Sequence, residues 1–591
     1  RWPDLAEQLD QRNPHEKYRH WLAVIRYRLE RTATASDRGP WPDGAYRGPD
    51  ELAADIELVA DSLRDAGHDE LAGGLLQDWL DRVAVFGFHL VRLDIRDDAR
   101  KLQEVADELL SGLGYPGYLE ADEPARLDML TAHLDPEAVN KLGLENLSDP
   151  AEKVVSLYRL IHRTVDRFGG GALGALIASM THEGSDVMVM QWLTRLAAVL
   201  EDDADNPVCL PVVPLFETID DLNRSGEILG GLFERRIYRE HLAAVGDRQM
   251  CMVGYSDSTK DGGFFAANWE LYEGQRKLAA VCREADVRLT VFHGRGGALG
   301  RGGGPAARGI LSLPPESVDA SIRITEQGEV LAERYDDPEI AFRHLEQVTW
   351  ATLLVSRKAD ADDPDDWREA MDRGEATSRK LYRDLIGDDG FLDYFDRATP
   401  IKTIETLPIG SRPSRRSGER RLEDLRAIPY TFAWTQSRHM ITAFYGLGTA
   451  LEAAAGDGDE GWEQLAGMYR QWPMFKAMID NAELALAKAD MEIAHAYARQ
   501  VDAGDTGERI WNQIRQEYER SRSALLRVTG REELLEAVPW LQRSIRVRNP
   551  YVDPLNFIQV ELMRRDRDGQ SVDDLLRQSV QGIASGLRTT G

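Results

Sequence analysis

Five residues stand where short apolar runs give way to polar turns, and their types suit a charged substrate. Arg96 follows LVRLDI, Glu217 closes PVVPLFE, Asp257 closes CMVGYSD, and His293 and Arg295 follow VRLTVF. Two carboxylates from separate segments, with no cysteine and little histidine beside them, suit a hard divalent ion. Mg2+ takes one or two carboxylates and completes its shell with water and substrate oxygens. The competing reading makes both carboxylates helix caps or loop residues. Lys260 comes three residues after Asp257 in GYSDSTKDGG, so one turn can present both to a single site; a solvated lysine fits the same spacing.

His293 and Arg295 lie in a glycine-rich segment, FHGRGGALGRGGGP, which carries a second arginine, Arg301. It has no Gly-Lys pair and so is no Walker A loop, and Leu299 interrupts the dinucleotide fingerprint. What remains is a pliable loop after a strand, whose N–H groups and arginines can enclose an anion, or a plain linker. Arginine supplies planar, permanently charged donors suited to phosphate and carboxylate. A second basic loop, 410–436, contains Arg412, Arg415, Arg416 and Arg426 among glycine and serine and reads as a movable lid. His133, in LTAHLDPEA, falls in a polar helical insertion and reads as structural.

Positioning these groups requires strands whose ends converge. Residues 1–82 read as amphipathic helices, with Trp21, Val24, Ile25 and Leu29 at three- and four-residue spacing. Near-continuous apolar runs at 83–95, 175–180, 209–217, 249–257, 287–295 and 321–330 predict strands buried on both faces. Helical stretches such as 262–285 separate several of them, so the rhythm predicts a parallel β/α barrel over 83–430, with functional groups at the carboxyl ends of its strands. Residues 431–591 read as helical, and in DPLNFIQVELMRR the pattern predicts a packing helix with Asp553 as N-cap and Pro554 at its first position.

A formal net charge of −29 disfavours nucleic acid, which needs clustered positive surface. No apolar run approaches the ~18 to 20 residues of a membrane span, and there is no signal-peptide pattern. Cys209, Cys251 and Cys282 form no C-x-x-C pair. The expectation is a soluble, cytoplasmic protein without membrane or nucleic-acid partners. Of 72 basic residues 11 are lysine and 61 arginine, as a GC-rich coding background or a salty cytoplasm would produce. Arg1 is not an initiator methionine and helical periodicity starts at once, so the chain is expected to begin inside a larger protein.

Taken in order, FETIDDLNRSGEIL, MVGYSDSTKDGG, FHGRGGALGRGGGP, RITEQGEV, LPIGSRPS, LRAIPYTFAWTQ and RNPYVDPLNFIQVELM resemble the bacterial type of phosphoenolpyruvate carboxylase, over essentially the whole chain. The resemblance implies addition of bicarbonate to phosphoenolpyruvate, giving oxaloacetate and phosphate through carboxyphosphate and an enolate. It also implies Mg2+ or Mn2+, a homotetramer, and an α/β (TIM-like) barrel embedded in a predominantly helical protein. Residue by residue, Glu217 and Asp257 resemble the metal ligands and Lys260 the lysine beside them. His293 resembles a substrate-positioning histidine, and Arg96, Arg295, Arg412 and Arg426 resemble phosphate-binding arginines. Arg301 matches an arginine of the carboxylation step, and Leu215 and Met252 match part of an apolar CO2 pocket.

Two departures qualify the match. The family's further essential histidine sits in a Thr-Ala-His-Pro-Thr motif, which this sequence lacks. The chain thus resembles the carboxyl-terminal two-thirds of the family, with the barrel incomplete and the isolated chain expected to turn over poorly. Relatives also commonly end in Asn-Thr-Gly, whose asparagine joins residues matching Lys488, Arg548 and Arg301 in binding inhibitory aspartate or malate. Here Thr589 takes its place. A non-catalytic binding or assembly piece, and another phosphoenolpyruvate or pyruvate barrel enzyme, remain alternatives.

Overall fold

The structure, a computed structural model, describes residues 2–588 apart from 13, 37–38, 133, 295–305, 327, 359–362, 408–424 and 502–504. His133, Arg295, Arg301, Arg412 and Thr589 therefore lie outside the described residues. The chain folds as two compact units. The first takes everything up to Ser179 with Glu183–Val213 and Glu240–Val245; the second takes Met180–His182, Pro214–Arg239 and the chain from Gly246 onward.

In the first unit helices fill the amino-terminal segment, where Ile25, Tyr46, Leu52, Ile56 and Val83 share a small core. The helix α1 (Gln77–Phe86) absorbs the start of the run predicted as a strand, and strand β1 begins only at Leu93, ending at Asp98. The run VAVF is as apolar as a strand, but Val83 is the residue of α1 that the core buries. Periodicity alone cannot separate a short buried strand from a helix end. Asp98 caps α2 (Ala99–Gly112) by accepting from the Arg100 N–H. The helix α3 (Asp149–Phe168) buries Val154, Val155, Tyr158 and Ile161, a three- and four-residue stripe. It leads into β2 (Leu173–Ser179), which pairs in parallel with β1. The helix α4 (Ser185–Leu200) is buried nearly all round. Each large apolar side chain so enclosed contributes about 1.5–3 kcal/mol.

The second unit carries the carboxyl-terminal part of β3 (Val212–Phe216), then α5 (Ile219–Phe233), β4 (Arg248–Gly254), the short α6 (Ser256–Gly262), α7 (Phe264–Glu284) and β5 (Arg288–Gly294). The last strand, β6, is only Arg323–Ile324, because helix resumes at Gly328 and ends the run predicted over 321–330. The described pairings between these strands are parallel, with one isolated antiparallel bridge between Thr290 and Val318, and the strand order follows the chain, β1-β2-β3-β4-β5-β6. The predicted parallel sheet in a mostly helical protein is thus present, curled as part of a barrel.

Helices make up the remainder: α8 (Pro338–Ser356), α9 (Asp365–Ile386), α10 (Ala427–Gln436), α11 (Leu447–Ala455), α12 (Pro473–Lys488), α13 (Met491–Ala498), α14 (Thr506–Thr529), α15 (Pro539–Arg567) and α16 (Asp573–Leu587). One core joins Phe265 and Trp269 of α7 to Leu447, Met468, Phe475 and Met478; another gathers Tyr382, Phe395, Tyr430, Trp434 and Tyr497. The expected helix start at Asp553 is corrected here. The helix α15 runs straight through, with Pro550 and Pro554 inside it, and Asp553 is a mid-helix acid paired with Arg438. Packing against α16 and this buried pair outweigh two missing backbone donors, a tertiary effect that no local signal carries.

Candidate functional site

In the second unit the register of β3, β4 and β5 aligns Leu215 with Met252 and Phe292, and Phe216 with Val253 and His293. Because strand side chains alternate, Leu215 and Met252 share one face, and the next residue on that face beyond Leu215 is Glu217. Leu215 and Met252 are buried, and Glu217 is only 3% exposed. The strand end passes so close to β4 that a Cβ added at Gly254 would stand 3.2 Å from Glu217 Cα, so glycine is what admits the carboxylate segment. The Ser258 hydroxyl donates to the carbonyls of Glu217 (2.7 Å) and Gly254 (2.5 Å), lashing the ends of β3 and β4 to α6.

Asp257 does not end a strand, as the sequence suggested; it sits in the first turn of α6, with Lys260 one turn on. The i, i+3 spacing keeps both on one side of that helix. Lys260 Nζ donates to the Leu425 carbonyl (2.5 Å), immediately before Arg426, the N-cap of α10. Gly263 ends α6 at φ 85°, where a Cβ would lie 2.9 Å from the Tyr382 ring. The paired glycines after Lys260 thus let α6 turn sharply into α7. Asp261 accepts from the Ile219 N–H (3.0 Å) and from Arg383 (3.0 Å), fixing α6 to the start of α5.

His293 is 1% exposed. Its Nδ1 lies 2.9 Å from the Tyr255 hydroxyl, and its carbonyl accepts from the Thr325 N–H at 3.0 Å. Alternation places it on the opposite face from Leu215 and Met252. Tyr255 and Ser258 went unnoticed in the sequence, although both stand in GYSDSTKDGG. A third unnoticed group is His182, whose Nδ1 is 2.6 Å from Asp221 Oδ1, the acid of the Thr218–Asp221 capping box. Thr181 beside it bonds Leu215 in both directions. Arg96 belongs to the first unit, within β1, where its Nε donates to the Ser179 hydroxyl.

Among the described residues no group of three His, Cys, Asp or Glu side chains gathers closely enough to hold an ion alone. The carboxylates of Glu217 and Asp257 are hard oxygen donors of the kind that suits Mg2+ or Mn2+.

A second cluster lies at the carboxyl-terminal helices. Lys488, the last residue of α12, is 5% exposed. Burial, and then Arg548, Arg438 and Arg588, push its ammonium down to about 8. Arg548 donates to the carbonyls of Ser544 (3.0 Å) and Gly586 (2.7 Å), and burial and Arg588 lower its own value. The structure thus brings the predicted Lys488 and Arg548 into one electrostatic group and adds two arginines. No helix among the described residues is long and apolar enough to cross a membrane.

Comparison with known proteins adds lineage to this geometry. The family profile described as Phosphoenolpyruvate carboxylase matches residues 1–591. A protein of that name from Roseiflexus castenholzii is 39% identical over 616 aligned positions, covering 100% of this chain and 65% of the relative. One from Nitrosomonas europaea is 38% identical, covering 98% and 64%. Another, from Chromohalobacter salexigens, is 40% identical over 92% and 60%. The chain spans just under two-thirds of the length of these relatives. With a profile match from end to end and relatives of that name close to 40% identical, this chain belongs to the phosphoenolpyruvate carboxylase family.

Proposed function

We propose that this chain carries the phosphate, metal and CO2 groups of a phosphoenolpyruvate carboxylase, corresponding to the carboxyl-terminal two-thirds of the family pattern. The reaction joins bicarbonate to phosphoenolpyruvate and releases oxaloacetate and inorganic phosphate. The observation that carries the reading is the Lys260–Leu425 bond, which ties the helix bearing Asp257 to the residue before Arg426. The bond brings the backbone beside Arg426 to the helix that carries Asp257 and Lys260, which supports a shared site at the carboxyl end of the sheet, where β/α proteins hold their substrates.

Phosphoryl transfer to bicarbonate demands positioning and charge stabilisation rather than covalent help. Arg426, with Arg96, Arg295 and Arg412, would hold the phosphate oxygens, and Lys260 would offset the charge on the leaving enolate. A divalent ion on Glu217 and Asp257 would supply Lewis-acid neutralisation of phosphate and enolate oxygens. Leu215 and Met252 would offer CO2 an apolar wall. His293, whose Nδ1 lies beside the Tyr255 hydroxyl, would position the substrate, and Arg301 would serve the carboxylation step. The proton acceptor of the family's second step is the Thr-Ala-His-Pro-Thr histidine, so this chain alone turns over little.

Lys488, Arg548, Thr589 and Arg301 would form the site for inhibitory aspartate or malate. A homotetramer in the cytoplasm completes the reading, its assembly supported by exposed apolar faces on α8 (Phe342, Leu345, Trp350, Leu353) and α15 (Trp540, Val547, Tyr551, Ile558). Titration of phosphoenolpyruvate with and without Mg2+, followed by 13C-bicarbonate turnover, tests the reading. Mg2+-dependent binding, with any product labelled as oxaloacetate, is expected. Binding indifferent to Mg2+, or unlabelled pyruvate as the product, would favour another barrel chemistry.

A further inference from the structure

The pocket around Lys488 contains a charge for which the inhibitor reading has no use. Arg438, in the turn after α10, is completely buried, and arginine is almost never buried without a partner. Its backbone is left-handed at φ 62°, and Met440 follows at φ 55°. Side chains rarely adopt that conformation unless the surroundings enforce it. Two contacts secure the guanidinium: Nε donates to the Lys488 carbonyl at 2.8 Å, and Nη1 to Asp553 Oδ1 at 2.7 Å. The Arg438 carbonyl in turn accepts from the Asp490 N–H at 3.2 Å. Asp490 is the N-cap of α13, accepting from the Glu492 and Ile493 N–H groups. One residue therefore grips both the last residue of α12 and the first cap of α13.

This grip determines where the Lys488 ammonium stands. The lysine ends its helix, and its carbonyl is beyond the reach of α12's own hydrogen-bond ladder; Arg438 supplies the donor. The charged groups acting on Lys488 are Arg548 from α15, Arg588 after α16 and Arg438 itself, all positive. Asp553 is the carboxylate paired to Arg438. Fixed positive charge thus exceeds negative charge around a buried ammonium, and the carboxylates of an incoming dicarboxylate relieve that excess.

We infer that Arg438 is a positioning residue for dicarboxylate binding. It holds Lys488 by its carbonyl and adds a second buried positive charge, without touching the ligand. The inference rests on the aspartate-site reading of Lys488 and Arg548 given above.

Aspartate titrated calorimetrically into the intact chain at several pH values tests it, with wild type, Arg438→Gln and Asp553→Asn compared and melting curves establishing that each is folded. Wild type that binds no aspartate sinks the inhibitor-site reading and this inference with it. Wild type that binds, with Arg438→Gln weakened tenfold or more at pH 7, supports the inference. A second readout separates positioning with charge from general damage. Without Arg438 the Lys488 ammonium loses a repelling neighbour, so the pH at which binding is half lost moves upward in Arg438→Gln. Should that variant fail to fold, Asp553→Asn, which keeps an acceptor for the guanidinium but removes its countercharge, is expected to tighten aspartate several-fold. Folded variants that bind aspartate as wild type does, with an unshifted pH profile, overturn the inference and leave the inhibitor-site reading standing.

Discussion

Lys260 Nζ donates to the carbonyl of Leu425 across 165 positions of sequence. The bond joins α6, which carries Asp257, to the entrance of α10, which Arg426 caps. Lys260→Met removes both the tether and the cation. Any oxaloacetate formation is expected to fall about 100- to 1000-fold, the range for losing one preorganised charge-stabilising donor. Thermal melting should move little, because the lysine is only partly buried. Lys260→Arg that retains full kcat would show the ammonium has no special placement.

Glu217 presents a buried carboxylate at the end of β3. Glu217→Gln keeps the shape and deletes the charge, so Mg2+-dependent phosphoenolpyruvate binding should weaken at least tenfold. Titration of Mg2+ at fixed phosphoenolpyruvate measures it, and an unchanged Mg2+ midpoint would remove Glu217 from the ion's ligands.

Lys488 has its proton affinity depressed to about 8 by burial and the surrounding arginines. Its folded value lies below the unfolded one, ~10.4. The unfolded chain therefore binds more protons between those values, and stability rises with pH across that window. The cost of burying the charged lysine, about 3 kcal/mol at neutral pH, should fade from pH 8 to 10. Urea unfolding of wild type against Lys488→Met at pH 7 and 9.5 should show the gap narrowing. At the proposed inhibitor site, aspartate binding is expected to run the other way, weakening as pH climbs through 8, because a carboxylate would need the protonated amine.

His439 is enclosed between the Ser437 and Tyr394 hydroxyls, 2.8 Å from each. Burial holds its imidazole down at about 3. Folded affinity for the proton is below unfolded affinity, so the stability its neutral form supplies is present above ~6.5 and lost as pH falls toward 3. His439→Phe should flatten the acid limb of the stability curve between pH 6 and 4, as followed by tryptophan fluorescence. An acid limb as steep as wild type would assign it to other groups.

On α15, Trp540, Val547, Tyr551 and Ile558 are exposed at spacings of seven, four and seven, forming one stripe. A contiguous apolar stripe of this kind marks a protein contact. If these faces carry the proposed self-contact, Tyr551→Glu and Trp350→Glu, the latter on α8, should lower the mass measured by light scattering, and an unchanged mass would remove them from it.

The elements that the sequence made legible are those whose burial is uniform. LPVVPLFE, QMCMVGYSD and VRLTVFHGR contain β3, β4 and β5, because strands covered on both faces leave an unbroken apolar run. GGFFAANWELYEGQRKLAAVCREA contains α7 for the converse reason, its apolar residues returning every three to four positions. Errors fell at boundaries and at proline. VAVF was absorbed by α1, RITEQGEV split between a two-residue strand and a helix, and Pro554 proved to lie inside α15. Each outcome depends on a partner distant in sequence.

Residue types, their order and the glycines of GYSDSTKDGG were enough to nominate Glu217, Asp257 and Lys260 as one chemical group, since a turn of fixed spacing constrains which side chains can meet. Their mutual tethering was not readable, because Ser258 to Glu217, Tyr255 to His293, Lys260 to Leu425 and Arg438 to Lys488 are contacts between segments that meet only when the helices pack. Chemistry was written locally, in side-chain type and spacing. Placement came from the long-range packing that decides which carbonyl meets which donor and how far each charge is removed from water.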